Sequence, residues 1–153
     1  MYAFLLTAHS AVRWALLLFL LFSIYRSVVG YLRNSLFSKT DNTFRHWATT
    51  LGHIQLMIGM ILYFKSPLVK HYWNNKSGGA VPQDFTFFSL IHIALMFAAV
   101  TVLTVGSAMA KRQDSDRKKF RTMLVWFIFA LLIIFIAIPW PFSPLAKRPL
   151  IRL

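Results

Sequence analysis

The sequence contains no cysteine, which excludes disulfides, thiolate metal ligands and thiol redox chemistry. It also contains no glutamate. Its acidic residues are Asp41, Asp84, Asp114 and Asp116, set against 17 Lys and Arg for a net charge of +13. None of the four lies inside an apolar run, so a cation within such a run meets no carboxylate from another. A basic n-region is missing from the amino terminus MYAFLLTAHS, and the first apolar run is longer than the core of a signal peptide, so it reads as a retained helix. No internal repeat is present, and the connections are too short to hold a further domain. A soluble protein this basic would suggest nucleic acid, but the Lys and Arg sit between and after the apolar runs. No soluble module remains to carry such binding, and none is expected.

What is abundant is hydrocarbon: 58% of the 153 residues are hydrophobic. That is too apolar for a soluble domain of this size. A membrane span needs about 20 mostly apolar residues at a rise of about 1.5 Å each. Four segments qualify, at about 3–25, 47–64, 85–110 and 122–139. The expected fold is all-α, a single integral membrane four-helix bundle over residues 1–153, with the lipid bilayer as its first partner.

Charge sets the expected orientation. The first connection carries Arg26, Arg33, Lys39 and Arg45; the third carries Lys111, Arg112, Arg117, Lys118, Lys119 and Arg121. Against these ten, the second connection and the tail carry Lys65, Lys70, Lys76, Lys147, Arg148 and Arg152, which is six. The positive-inside rule then places both termini on the outer, periplasmic side.

Ionisable residues inside apolar runs are the candidate functional groups, because each is costly in lipid and normally faces a partner within the bundle. The first span carries His9 and, one turn on, Arg13. The second carries His53, with Gln55, Gly59 and Tyr63 four apart on a different face. The third carries His92, followed one turn later by Met96. Counted from the middle of each run, His9 and His92 both lie about five residues, or roughly 7–8 Å, toward the outer side. His53 lies about 11 Å from that level. Two histidines at one depth on different helices suit axial ligation of a b-type haem. Arg13 would then hold an acidic group of the ligand, such as a haem propionate, or a quinone oxygen. The plainer reading is that these histidines bond to backbone or hydroxyl groups and that Arg13 reaches lipid phosphate.

Elsewhere the sequence offers packing and punctuation. Gly59 reads as a helix seam, as do Thr101, Thr104, Gly106 and Ser107 in the third span. The stretch 66–84, with Pro67, Asn74, Asn75, Ser77, Gly78, Gly79 and Pro82, reads as an aperiodic loop in which Tyr72 and Trp73 anchor at the interface and His71 is solvated. His46, between Arg45 and Trp47, reads as interfacial. The fourth span has no ionisable side chain and supplies no ligand. Pro139 and Pro141 stop it around Trp140, and the tail is expected to run extended along the membrane surface.

Several segments together resemble a family of small four-span bacterial inner-membrane proteins labelled cytochrome b or cytochrome B. They are AHSAVRW (8–14), GHIQLMIGMILYF (52–64) with Ser66-Pro67, IHIALM (91–96), LTVG (103–106) and AIPWPF (137–142). The resemblance implies a haem-binding electron carrier of the inner membrane, with His9, His53 and His92 as the histidines to test. The family pattern has glutamate before the third-span histidine, where this chain has Ile91. Relatives with more haems draw ligands from the last span, so one haem b at most is expected here.

The leading functional expectation is a b-haem protein passing electrons between quinone and a redox partner, with His9 and His92 as axial ligands, Arg13 on an acidic group, and Gln55 or Tyr63 on a quinone oxygen. Whether it is an enzyme is left open. The alternative is a cofactor-free accessory subunit of a larger respiratory or transport complex. A third reading is a copper or zinc site of His9, His53 and His92 with Met96 nearby.

Overall fold

A computed structural model describes residues 1–76, 78 and 81–149. Ser77, Gly79 and Arg152, which enter the loop reading and the charge count above, lie outside the described residues. The chain folds into α1 (Tyr2–Leu32), α2 (Lys39–Lys65), a short α3 (Pro67–Asn75), a continuous span built from α4 (Gln83–Thr86), a π turn (Phe87–Ile91) and α5 (His92–Lys111), and α6 (Asp116–Ala137). Among the described residues four helices are long and apolar enough to cross a membrane: α1, α2, the composite span Gln83–Lys111, and α6. Four crossings return the chain to the side on which it started. It is an all-helical, four-helix membrane bundle.

Local chemistry explains the boundaries. The turn after α1 is closed by Asn34 at φ 49°, a left-handed position that asparagine tolerates, with the Ser35 amide donating back to the Gly30 carbonyl. Helix α2 opens with a capping box. The Ser38 hydroxyl receives the Asp41 amide, and the Asp41 carboxylate receives the Ser38 amide at 2.9 Å. Ser66 ends α2 and at once caps α3, whose first residue is Pro67. The stretch 66–84 is therefore not all loop: its serine-proline start nucleates two turns of helix. Ser115 caps α6, which ends at Ala137 because Pro139 forces the preceding Ile138 into an extended conformation (ψ 127°).

The long helices pack as a ring in which α1 lies between α2 and α6, and α5 lies between the same two. α1 and α5 therefore face each other across a diagonal. The interior is filled by Leu16, Leu20, Leu103, Phe120, Phe127 and Ile134, each buried. At Gly106 a methyl group would overlap the Cβ and ring of Trp126, so α5 and α6 approach as closely as they do only because this residue is glycine.

At the end of the bundle holding the α1–α2 turn, Asp41 is fully buried and receives Arg26 from α1 through Nε at 2.7 Å and Nη2 at 3.2 Å. One carboxylate thus caps α2 and ties it to α1. Asp41→Ala removes the carboxylate half of the capping box and leaves Arg26 without its counter-ion. We expect a loss of about 1–3 kcal/mol, given the partial exposure of Arg26, seen as a lower midpoint of thermal unfolding in detergent. Next to it Arg45, counted above as a loop cation, is buried within α2. It donates to the Ser107 carbonyl and hydroxyl of α5 and to Asn42 Oδ1.

At the other end the tail does not run extended. It turns back over the bundle: the Arg148 amide donates to the Pro139 carbonyl, the Arg148 guanidinium pairs with Asp84 at 3.1 Å, and Gln83 Nε2 donates to the Pro144 carbonyl. Ser143 and Ala146 are buried by this fold-back.

Candidate functional site

Under the folded tail lies a cavity of about 180 Å³, open on one side and walled by all four long helices. From α1 it receives His9, Ser10 and Arg13; from α2, Gln55, Gly59 and Tyr63. Phe88, His92 and Met96 come from the third span, Ile134 from α6 and Arg148 from the tail. Among the described lining residues there are two guanidinium groups and no carboxylate.

His9 and His92 meet here. Their ring centroids are 6.4 Å apart and their planes inclined at 66°. Residue counting along helices on opposite corners of the bundle thus places two imidazoles side by side. Two imidazoles sharing one metal through facing nitrogens, at about 2.0–2.1 Å per bond, have centroids roughly 6–7 Å apart. The observed centroid separation falls in that range.

His92 is the first residue of α5, directly after the π turn, and its ring lies 5.8 Å from Phe87 and 6.0 Å from Phe88. Its Nδ1 is 2.8 Å from the Ala137 carbonyl. A carbonyl only accepts, so Nδ1 carries the hydrogen, and in the neutral ring Nε2 is left with its lone pair. A ring N–H held by backbone carbonyl is the usual support of a metal-ligating histidine. His9 sits against Gly59, where a methyl group would stand 3.2 Å from His9 Cε1. Glycine makes the room for that ring. His9 Nδ1 is buried with no hydrogen-bond partner among the described residues, and so is Gln55 Oε1. Buried polar atoms left without partners are uncommon and point to a missing ligand or water.

The other candidates divide. Arg13 lies in the cavity wall, with Nη2 3.4 Å from the Ser10 hydroxyl and its guanidinium over Trp14. Gln55 and Gly59 face the cavity as their four-residue spacing requires. Tyr63 lines it too, but its hydroxyl donates to the Ser89 carbonyl at 3.1 Å and accepts from Trp73 Nε1 at 3.0 Å. That hydroxyl holds the π turn and does not offer its hydrogen to a ligand. His53 does not line the cavity. It is exposed, bonded to Thr104 at 3.2 Å, and six residues, or about 9 Å, along α2 from Gly59. Among the described residues no group of three or more His, Cys, Asp or Glu is placed to hold a metal ion, so His9, His53 and His92 do not converge. His71 stacks near Phe85 at 5.0 Å, outside the cavity.

Sequence reading missed Arg148, Ser10 and the closure by Ile138 and Pro139. Ser10 follows from its place beside His9 on a buried face. Arg148 depends on the tail folding back, which the prolines of AIPWPF permit but do not specify. No protein-family model matches the chain, and neither any curated protein nor any solved structure is significantly similar to it.

Proposed function

We propose that this chain is a b-type haem protein of a bacterial inner membrane, with its termini on the periplasmic side, that exchanges electrons between quinone and a redox partner. The observation that carries the reading is the juxtaposition of His9 and His92, one of them with its Nδ1–H already committed to a carbonyl. His9 and His92 are the residues that would hold the iron, and bound haem would supply a one-electron couple.

The chain's own groups fit that task in chemistry. His92 presents an imidazole whose orientation is fixed by the bond from Nδ1 to the Ala137 carbonyl. Leu16, Met96 and Ile134 give the cavity an apolar wall. Arg13 supplies positive charge for an acidic group of a ligand, while the Arg148 guanidinium is engaged by Asp84. Gln55, its Oε1 unsatisfied, stands ready for a hydroxyl such as that of a quinol. In size the fit is conditional. At about 180 Å³ the cavity is smaller than the about 300–1,000 Å³ of sites that enclose a ligand whole. A macrocycle therefore has to extend through the open side or displace the tail. The orientation rests on the excess of Lys and Arg in the first and third connections.

The test is an absorption spectrum of protein produced with haem supply, recorded oxidised and then reduced. A Soret band with a sharp reduced α-band is the expected result. A colourless, fully folded preparation overturns the proposal.

A further inference from the structure

In a continuous helix each carbonyl receives the amide four residues on. For Phe135 that residue is Pro139, and for Ala137 it is Pro141. Proline has no amide hydrogen, so the sequence strips both carbonyls of their helical donors. Both are nevertheless satisfied, each by a ring nitrogen: Trp140 Nε1 donates to Phe135 O at 2.9 Å, and His92 Nδ1 donates to Ala137 O at 2.8 Å. The intervening step is also proline-made, because Ile138 is pushed out of the helical region by the proline after it.

We infer that Pro139 and Pro141 are positioning residues for His92. Together they keep the Ala137 carbonyl vacant for the imidazole and thereby fix His92 as the Nδ1–H tautomer, with the Nε2 lone pair facing whatever the cavity binds. No acid beside His92 is needed for this. Ile91 precedes it, and the orienting acceptor comes from the end of α6 instead. The part of α6 from residue 122 onward, without one ionisable side chain, thus controls the chemistry of a residue on another helix. That Nε2 ligates iron rests on the haem reading; the tautomer does not.

The experiment is nitrogen NMR of the whole chain, purified without added haem from cells fed labelled histidine, with His92 assigned by the signal lost in His92→Gln. Protonated and unprotonated ring nitrogens are resolved by their shifts and couplings, so the tautomer is read directly. Wild-type protein is expected to show Nδ1 protonated and Nε2 bare. Pro139→Ala with Pro141→Ala lets α6 continue and returns amide donors to both carbonyls. The protonated-Nδ1 signal of His92 should then be lost or split between tautomers. Pro144→Ala, in the same tail but outside the helical donor positions, should leave it unchanged. Pro139→Ala and Pro141→Ala singly should each weaken it, which keeps the test usable if the double variant does not fold. A wild-type His92 protonated on Nε2 overturns the inference. So does an unchanged signal in the proline variants, or an equal loss in Pro144→Ala. A protein that binds no haem but behaves as described leaves the tautomer assignment standing and removes only the haem reading.

Discussion

His92→Ala is expected to lower haem affinity more than about 100-fold and to abolish the low-spin reduced α-band. Changes in groups that merely support a metal ligand cost about 10–100-fold, and removing the ligand itself should exceed that. His9→Ala should act similarly, since its ring lies across a 6.4 Å centroid separation and no third histidine shares the cavity. His53→Ala is the informative comparison: its ring is exposed and bonded to Thr104, so the haem spectrum should not change. The measurement is a haem titration of each variant followed at the Soret band, with circular dichroism to show that the helices remain. Unchanged binding in His9→Ala and His92→Ala, equal loss in all three variants, or loss only in His53→Ala would remove the His9–His92 pair from consideration.

The second large effect concerns assembly of the bundle. Gly106→Val places a branched side chain where even a methyl group overlaps the Cβ of Trp126. Neither group can move cheaply, because that atom is fixed to the α6 backbone and the helices are in contact. Overpacking of this kind costs typically about 1–3 kcal/mol, and the rigid neighbour puts this case at the upper end. A markedly lower thermal midpoint in detergent, or failure to accumulate as folded protein, is expected. Gly106→Ala should show a smaller shift, and the pair Gly106→Val with Trp126→Gly, which removes the overlapped Cβ, should recover part of the loss. Wild-type stability in Gly106→Val would contradict the close approach of α5 and α6.

Much of this was legible in the residues. Four apolar runs gave four spans, because the length of hydrocarbon to be crossed is fixed and a helix rises by a constant step. The same constant step put His9 and His92 at one depth, and a spacing of four put Gln55, Gly59 and Tyr63 on the face that lines the cavity. What escaped depends on tertiary closure. Helix α3 is short, so the helical spacing of Leu68, Val69, Tyr72 and Trp73 and the start signal of Ser66-Pro67 were outweighed by the turn residues downstream. The pairing of Arg26 with Asp41 joins residues 15 apart across a turn whose geometry depends on a left-handed Asn34. The hydroxyl of Tyr63 is taken by a carbonyl of the π turn, and nothing in FFSLI distinguishes a π turn from ordinary helix. AIPWPF was readable as a helix stop. That the stop also vacates a carbonyl for a histidine 45 residues away becomes visible only once α5 and α6 are packed together.

The central claim is that two imidazoles from opposite corners of a membrane bundle clasp one iron, and low-temperature electron paramagnetic resonance of the oxidised protein, with iron quantified on the same sample, tests it most directly. One iron per chain with a low-spin signal of two nitrogenous axial ligands, lost in His9→Ala and in His92→Ala, is the predicted result. A folded protein without iron, or a high-spin signal indifferent to both substitutions, would contradict it.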